Sequence, residues 1–175
     1  MTSSSRTLSQ WFDEFETEAF RLETLDDYSQ SGGVEAYHAF LACEPQPEAY
    51  KSSGWLDTVR ISTQSGKRMY RVHILSRPLT PYLGFELGWG YQRNAEAGEE
   101  FFILDVTGQD NPIPNAPDFW MFDNHTIGVM NYDAHGKYLG ADFVAPDRLP
   151  EFSQYRDIAL AHAEPFTDWW AKHNE

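Results

Sequence analysis

Between Asp118 and Val144 the chain reads DFWMFDNHTIGVMNYDAHGKYLGADFV, three β-prone runs broken by two reversals. Phe119–Phe122, Thr126–Tyr132 and Tyr138–Val144 are rich in aromatic and β-branched residues, which fit a pleated surface. Asp123-Asn124 and Asp133-Ala134-His135-Gly136 stand between them, and these residue types supply the local hydrogen bonds and the φ values of tight turns. The pattern predicts a β-meander as the spine of the fold.

The flanking segments add helices and further strands. Thr7-Leu8-Ser9-Gln10 fits a capping box after a frayed tail over residues 1–6. Leu8, Trp11, Phe12, Phe15 and Ala19 then recur at helical spacing. Phe20–Leu25 alternates and reads as a short strand or an extended cover segment. Val34–Cys43 predicts a second helix, Glu44–Tyr50 a loop, and Gly54–Ser65 a third helix closed by Gly66 in the left-handed conformation. Lys67–Ser76 is β-prone. Thr80 caps a helix with Pro81 in its first turn, running to residue 92, and Gly84 and Gly88 offer close packing on a sheet. A strand is expected over Glu99–Val106, a proline-rich loop over 108–117, and a C-terminal helix from Asp147 that Pro165 kinks or splits. The expected fold is α+β: one domain over 1–175, with a mainly helical part at 7–66 and a sheet-forming part at 67–146. A single mixed, mostly antiparallel sheet of about five strands packs with the N-terminal helices and a closing C-terminal helix at 147–175.

The balance of 27 acidic against 13 basic residues gives a formal net charge of −14. A nucleic-acid binder needs a positive face to displace counterions, so direct nucleic-acid contact is not expected, nor is an anionic membrane. The N-terminal MTSSSRTLSQ lacks the basic start and apolar stretch of a signal peptide, and no apolar window is long enough to span a bilayer. A cytoplasmic location is the expectation. Cys43, the one cysteine, excludes an internal disulfide and is read as a buried inert thiol.

Chemistry is sparsely marked. The six histidines show no metal-ligand spacing, and neither a phosphate-binding loop nor a nucleophile elbow occurs. No metal and no cofactor is therefore assigned. His125 and His135 fall at turns, and His73 lies inside a strand as a satisfied core histidine. Aromatics make up 15% of the chain, which suits a filled core or a cavity wall. Among them sit a few charges that the core does not explain. Glu86 is embedded in Phe85-Glu86-Leu87-Gly88-Trp89, and Asp123 follows Phe119-Trp120-Met121-Phe122. Desolvated carboxylates of this kind can serve as general acid or base; the plainer readings are a turn role for Asp123 and a buried pair of Glu86 with Arg71. Arg71 and Arg21 are the candidate cations for a ligand, and Trp89, Tyr91 and Trp120 the candidate walls.

The segments AFRLETLDDY at 19–28, WLDTVR at 55–60, KRMYRVHILSRPLTPYLGFELGW at 67–89, NAEAGE at 94–99 and DFWMFD at 118–123 resemble an uncharacterised actinobacterial protein family. Its members are commonly encoded beside helix-turn-helix regulators or inside specialised-metabolite clusters. That resemblance implies a regulator or another basic protein as partner, with a small-molecule ligand as a second. The order of strand Tyr70–Leu75, helix 80–92, strand to Val106, meander and closing helix is also similar to one half of a phospholipase-D-like domain. Active members of that family carry a His-x-Lys motif in the meander strands; here His125 is followed by Thr126 and Ile127. The resemblance therefore implies a degenerate copy.

Two functional readings follow. The preferred one is a non-catalytic regulatory or interaction protein, sensing a small ligand and working with a transcriptional regulator. The alternative is a cofactor-independent enzyme of specialised metabolism, with Glu86 or Asp123 as general acid or base in an aromatic pocket.

Overall fold

The computed structural model describes residues 6–174, so most of the expected N-terminal tail lies outside the described residues. The fold is α+β around one mixed sheet. It has seven strands rather than about five: β1 Glu18–Glu23, β2 Arg68–Leu75, β3 Glu100–Asp105, β4 Phe119–Phe122, β5 Thr126–Tyr132, β6 Tyr138–Phe143 and β7 Glu164–Pro165. Their spatial order is β6-β5-β4-β1-β2-β3-β7. β1 runs parallel to β2 and β2 parallel to β3, while the other ladders are antiparallel. The two strands missing from the expected set are instructive. β1 is the ambiguous segment at 20–25, and it lies near the middle of the sheet. β7 is two residues long and carries no periodic signal of its own.

The meander forms as its turn chemistry dictates. Asp123 and Asn124 adopt φ of 53° and 60°, a left-handed pair at the centre of the tight turn closed by the His125 N–H on the Phe122 carbonyl at 3.0 Å. Asp133 accepts backbone N–H bonds from His135 at 2.8 Å and Lys137 at 3.0 Å in the second turn.

Helix α1 (Leu8–Glu14) begins at the expected capping box: the Gln10 amide N–H donates to Thr7 Oγ1 at 3.3 Å, and the Thr7 N–H donates to Gln10 Oε1 at 2.8 Å. Its Trp11 and Phe12 rings pack on Phe122 and Trp120 of β4. Helix α2 (Val34–Leu41) ends two residues earlier than predicted. Cys43 follows at φ 56° and is exposed, which corrects the buried thiol expected from the apolar run. A short helix α3 (Glu48–Lys51) occupies part of the predicted loop. Helix α4 (Gly54–Gln64) ends at Gly66 with φ 89°, as its sequence predicts.

The segment after β2 runs from residue 81 to 96: α5 (Pro81–Phe85), a π turn (Glu86–Tyr91) and α6 (Gln92–Glu96). Thr80 caps it by accepting the Leu83 N–H at 3.2 Å. Gly84 and Gly88 face Phe40 of α2 and Trp170, so they admit helices where the sequence had suggested a sheet. After Ala97 the chain turns at Gly98, with φ 114°, where a Cβ would stand 2.4 Å from Thr63 Oγ1; only glycine fits. Pro165 splits the C-terminal region into α7 (Leu149–His162) and α8 (Phe166–His173).

Both faces of the central strands are covered. On one, Phe20, Leu22, Tyr70, Val72, Leu104, Phe119 and Met121 meet Phe152 and Ala159 of α7 in a wholly apolar core. On the other, Leu83, Leu87 and Tyr91 of the 81–96 segment pack with Phe101, Ile103, Phe166 and Trp169. Between this second cluster and the α1–α4 cluster runs a row of buried charge. No helix among the described residues is long and apolar enough to cross a membrane.

Candidate functional site

Alternation along β1 and β2 generates the site. Phe20 and Leu22 point to one face of the sheet, so Arg21 and Glu23 point to the other. The parallel register pairs Arg21 with Arg71 and Glu23 with His73. Four polar side chains thus form a two-by-two block toward the carboxyl ends of two parallel strands, where ligands of open sheets that contain such strands commonly bind. All four are shielded from water: Arg21 is 4% exposed, Glu23 3% and His73 0%, and the Arg71 side chain 12%.

Buried charges need partners, and most of these have them. Arg21 Nη2 donates to Asp118 Oδ2 at 3.0 Å and to the Tyr132 hydroxyl at 2.9 Å. Asp118 also accepts the Tyr28 hydroxyl at 2.6 Å and the Thr24 amide at 3.0 Å. Arg71 forks onto Glu99, with Nη2 to Oε1 at 2.7 Å and Nε to Oε2 at 3.2 Å, and gives Nη1 to Glu23 Oε1 at 3.0 Å. Tyr91 donates its hydroxyl to the same Glu23 oxygen at 2.7 Å. Burial would raise the Glu23 carboxyl, but Arg71, His73, Arg21 and the Tyr91 hydroxyl outweigh it and hold the group at about 2.

Glu86 differs. Its side chain is 14% exposed, and its Oε2 is buried with no hydrogen-bond partner. Burial first, and then the Glu23 charge, push its carboxyl well above the ordinary carboxylate range. The expected pair with Arg71 is not made, because Glu99 and Glu23 occupy that guanidinium. A second orphan lies nearby: Arg21 Nη1 is buried and also unpartnered.

These groups line a cavity of about 290 Å³, a size that suits a small organic molecule. Arg21, Glu23, Arg71 and Glu86 are on its walls, with tyrosines 28, 50, 82, 91 and 132 around them. The π turn sets two of these walls. In an α-helix, residues five apart are separated by about 1.4 turns and face different ways. The wider turn over Glu86–Tyr91 brings both of its end residues to the cavity. Gly90 lies between them, and a Cβ there would come within 3.3 Å of the Tyr50 hydroxyl. Arg93 closes the rim, donating to the Tyr50 carbonyl at 2.6 Å.

Of the residues singled out from sequence, Arg21, Arg71, Glu86 and Tyr91 meet at this cavity. Trp120 lies beside it, its ring 5.9 Å from the Arg21 guanidinium and 5.6 Å from that of Arg71, where it excludes water from both. Trp89 is turned away and packs on Phe40, Tyr50 and Phe85. Asp123 is not part of the cluster: its carboxylate accepts the backbone N–H groups of Glu16 at 2.9 Å and Thr17 at 2.7 Å, and so ties the hairpin to the start of β1. Those bonds outweigh its partial burial and lower its carboxyl. Glu23, His73, Glu99 and Asp118 were missed as site residues. The available signal was the placement of charge at alternate positions, Arg21-Leu22-Glu23 and Arg71-Val72-His73, in otherwise apolar strands.

No curated protein matches the sequence. Among solved structures, the chain is similar to a phosphatidylserine synthase of Haemophilus influenzae, with 11% identity and a TM-score of 0.46 over 95% of this chain. The match spans 39% of that protein's chain. Residues 6–171 match a family described as a domain of unknown function, DUF6879, and the chain belongs to that family.

Proposed function

We propose that this protein is a non-catalytic, ligand-sensing regulatory protein whose cavity holds a small anionic molecule. The observation that carries the reading is Arg21 Nη1, a buried charged donor with no partner on the wall of a tyrosine-lined cavity. An unmade bond at such a group costs roughly 1–3 kcal/mol or more, which a ligand carboxylate or phosphate would recover. The tyrosine rings supply flat apolar area and hydroxyls for the rest of the ligand. Occupancy would be read by a partner, a helix-turn-helix regulator or another basic protein, to which a net charge of −14 is complementary. The reading sets the protein in the cytoplasm and in specialised metabolism. Calorimetric titration with aromatic carboxylates and phosphate esters tests it. Saturable binding is expected, and Arg21→Met should abolish it, with circular dichroism separating lost binding from the stability cost of stranding Asp118. Equal affinity of Arg21→Met for every ligand found would refute the assignment.

A second reading is favoured by Glu86, a cavity-lining carboxyl whose buried Oε2 has no hydrogen-bond partner, which leaves it free to act as a general acid or base. In that case the protein is a cofactor-independent enzyme, and turnover of a bound ligand should vanish in Glu86→Gln. Asp123 has no part in it.

A further inference from the structure

Hydrogen accounting around His73 leaves a lone pair unexplained. Its Nε2 stands 2.8 Å from the Leu25 carbonyl oxygen, which can only accept, so Nε2 carries a proton. In the neutral ring Nδ1 is then bare. Tyr91 lies 2.9 Å from Nδ1, but its single hydroxyl proton is directed to Glu23 Oε1 at 2.7 Å. The other near neighbours of Nδ1 are carboxylate oxygens, Glu86 Oε2 at 3.6 Å and Glu23 Oε1 at 4.0 Å. One donor atom from each of Glu23, His73 and Glu86 falls within 4.8 Å of the other two. With Glu86 ionised, three acceptors thus converge on one point with no hydrogen between them.

Charge leads to the same place. Around the block, Asp118 is matched by Arg21 and Glu99 by Arg71. Glu23 shares Arg71, and Glu86 has no cation of its own. With all four ionised, two guanidinium groups face four carboxylates inside the block, an excess of two negative charges, and the next cation, Arg93, lies at the cavity rim. One divalent cation would cancel that excess.

We propose that Glu23, His73 and Glu86 bind a divalent first-row transition ion of the manganese-to-zinc range. An imidazole with two carboxylates is a donor set for that class. The surroundings are those of a ligating shell: the far ring nitrogen is fixed by the Leu25 carbonyl, and Glu23 is oriented by Arg71 and Tyr91. Three protein ligands leave coordination positions open toward the cavity, where an anionic group could complete the sphere. The proposal stands apart from the ligand reading, since an ion can occupy the three donors whether or not Arg21 holds an organic anion.

The test uses the full chain after dialysis against a chelator, titrated with Mn²⁺ by electron paramagnetic resonance and with Zn²⁺ by calorimetry. One ion per chain is expected, with a rise in melting temperature. Glu86→Gln and His73→Gln should each weaken binding by about tenfold or more, the scale on which even outer-shell losses act. His125→Ala and His135→Ala, at the exposed turns, should leave it unchanged, and the ion should bind in the absence of any organic anion. Glu86→Gln keeps shape at the cavity wall and serves if a strand variant fails to fold. Absence of binding at millimolar ion, or binding that survives Glu86→Gln and disappears with a turn histidine, would overturn the site; the charge excess would then be met by protons.

Discussion

Phe20, Leu22, Tyr70 and Val72 alternate with Arg21, Glu23, Arg71 and His73 along the same two strands, and both sets are shielded from water. One set meets Phe152 of α7 in an apolar layer; the other meets Tyr91, Glu99 and Asp118. Burial of the first set stabilises at roughly 25 cal/mol per Å². Burial of the second costs desolvation, which its ion pairs offset at best in part. Strand order and burial cannot distinguish the two faces. What separates them is whether each atom's partners lie within the protein, and only the polar face leaves atoms without one.

The largest effects test that contrast directly. Phe152 is fully buried with its ring 5.0 Å from Phe119, and Phe152→Ala should lower unfolding free energy by about 3–5 kcal/mol in urea denaturation. Arg71→Met should cost a similar amount, about 3–5 kcal/mol, because it strands Glu23 and Glu99. The two losses should differ in kind. Adding Glu99→Gln to Arg71→Met should recover part of the stability, whereas no polar change rescues Phe152→Ala. Failure of that recovery would mean that Arg71 matters for its packing and not for its charge.

Smaller effects follow. Asp123→Ala removes a carboxylate from the backbone amides of Glu16 and Thr17, and a loss of about 1.5–3 kcal/mol is expected from equilibrium unfolding. Glu86→Gln, in metal-free protein, should leave stability within about 0.5 kcal/mol of the parent or raise it, since it keeps the side chain's shape at a site where Oε2 has no partner to lose. A clear loss would show that Glu86 holds the scaffold together.

The smallest is a pH effect at the far edge of the sheet. Asp105 accepts bonds from Thr107, Arg77 and the Trp169 indole, which outweigh its partial burial and lower its carboxyl from 3.8 to about 2. A depressed carboxyl adds stability above its unfolded value and loses it on protonation. The α8 contact should therefore be fully present above pH 3.8 and fade as pH falls through about 2. Trp169 fluorescence should follow that change, and Asp105→Asn should flatten it.

Local chemistry made much of the fold readable. The meander, the Thr7 and Thr80 caps, the Gly66 stop and the Pro165 break all depend on residues within a few positions of one another. Cys43 misled because its apolar neighbours suggest a continuing helix, while the chain turns into the left-handed region there. The site was legible only in part for the opposite reason. Arg21, Arg71, Glu86 and Tyr91 stand out as polar groups among rings, but the pairing of Glu23 with His73 exists only through strand register across 50 residues of sequence. Trp89 was misassigned because a regular helix was assumed where the backbone widens.

That widened segment makes backbone geometry matter more than composition over Glu86–Tyr91. Tightening it to ordinary α spacing at unchanged length would rotate everything downstream by about a quarter turn or more. Leu83 and the strands would keep their anchors, while Tyr91, Arg93 and Asn94 would swing off the cavity. A variant that regularises this stretch would thus be folded but empty-handed, and redesign here must preserve the wide turn as well as the side chains that it presents.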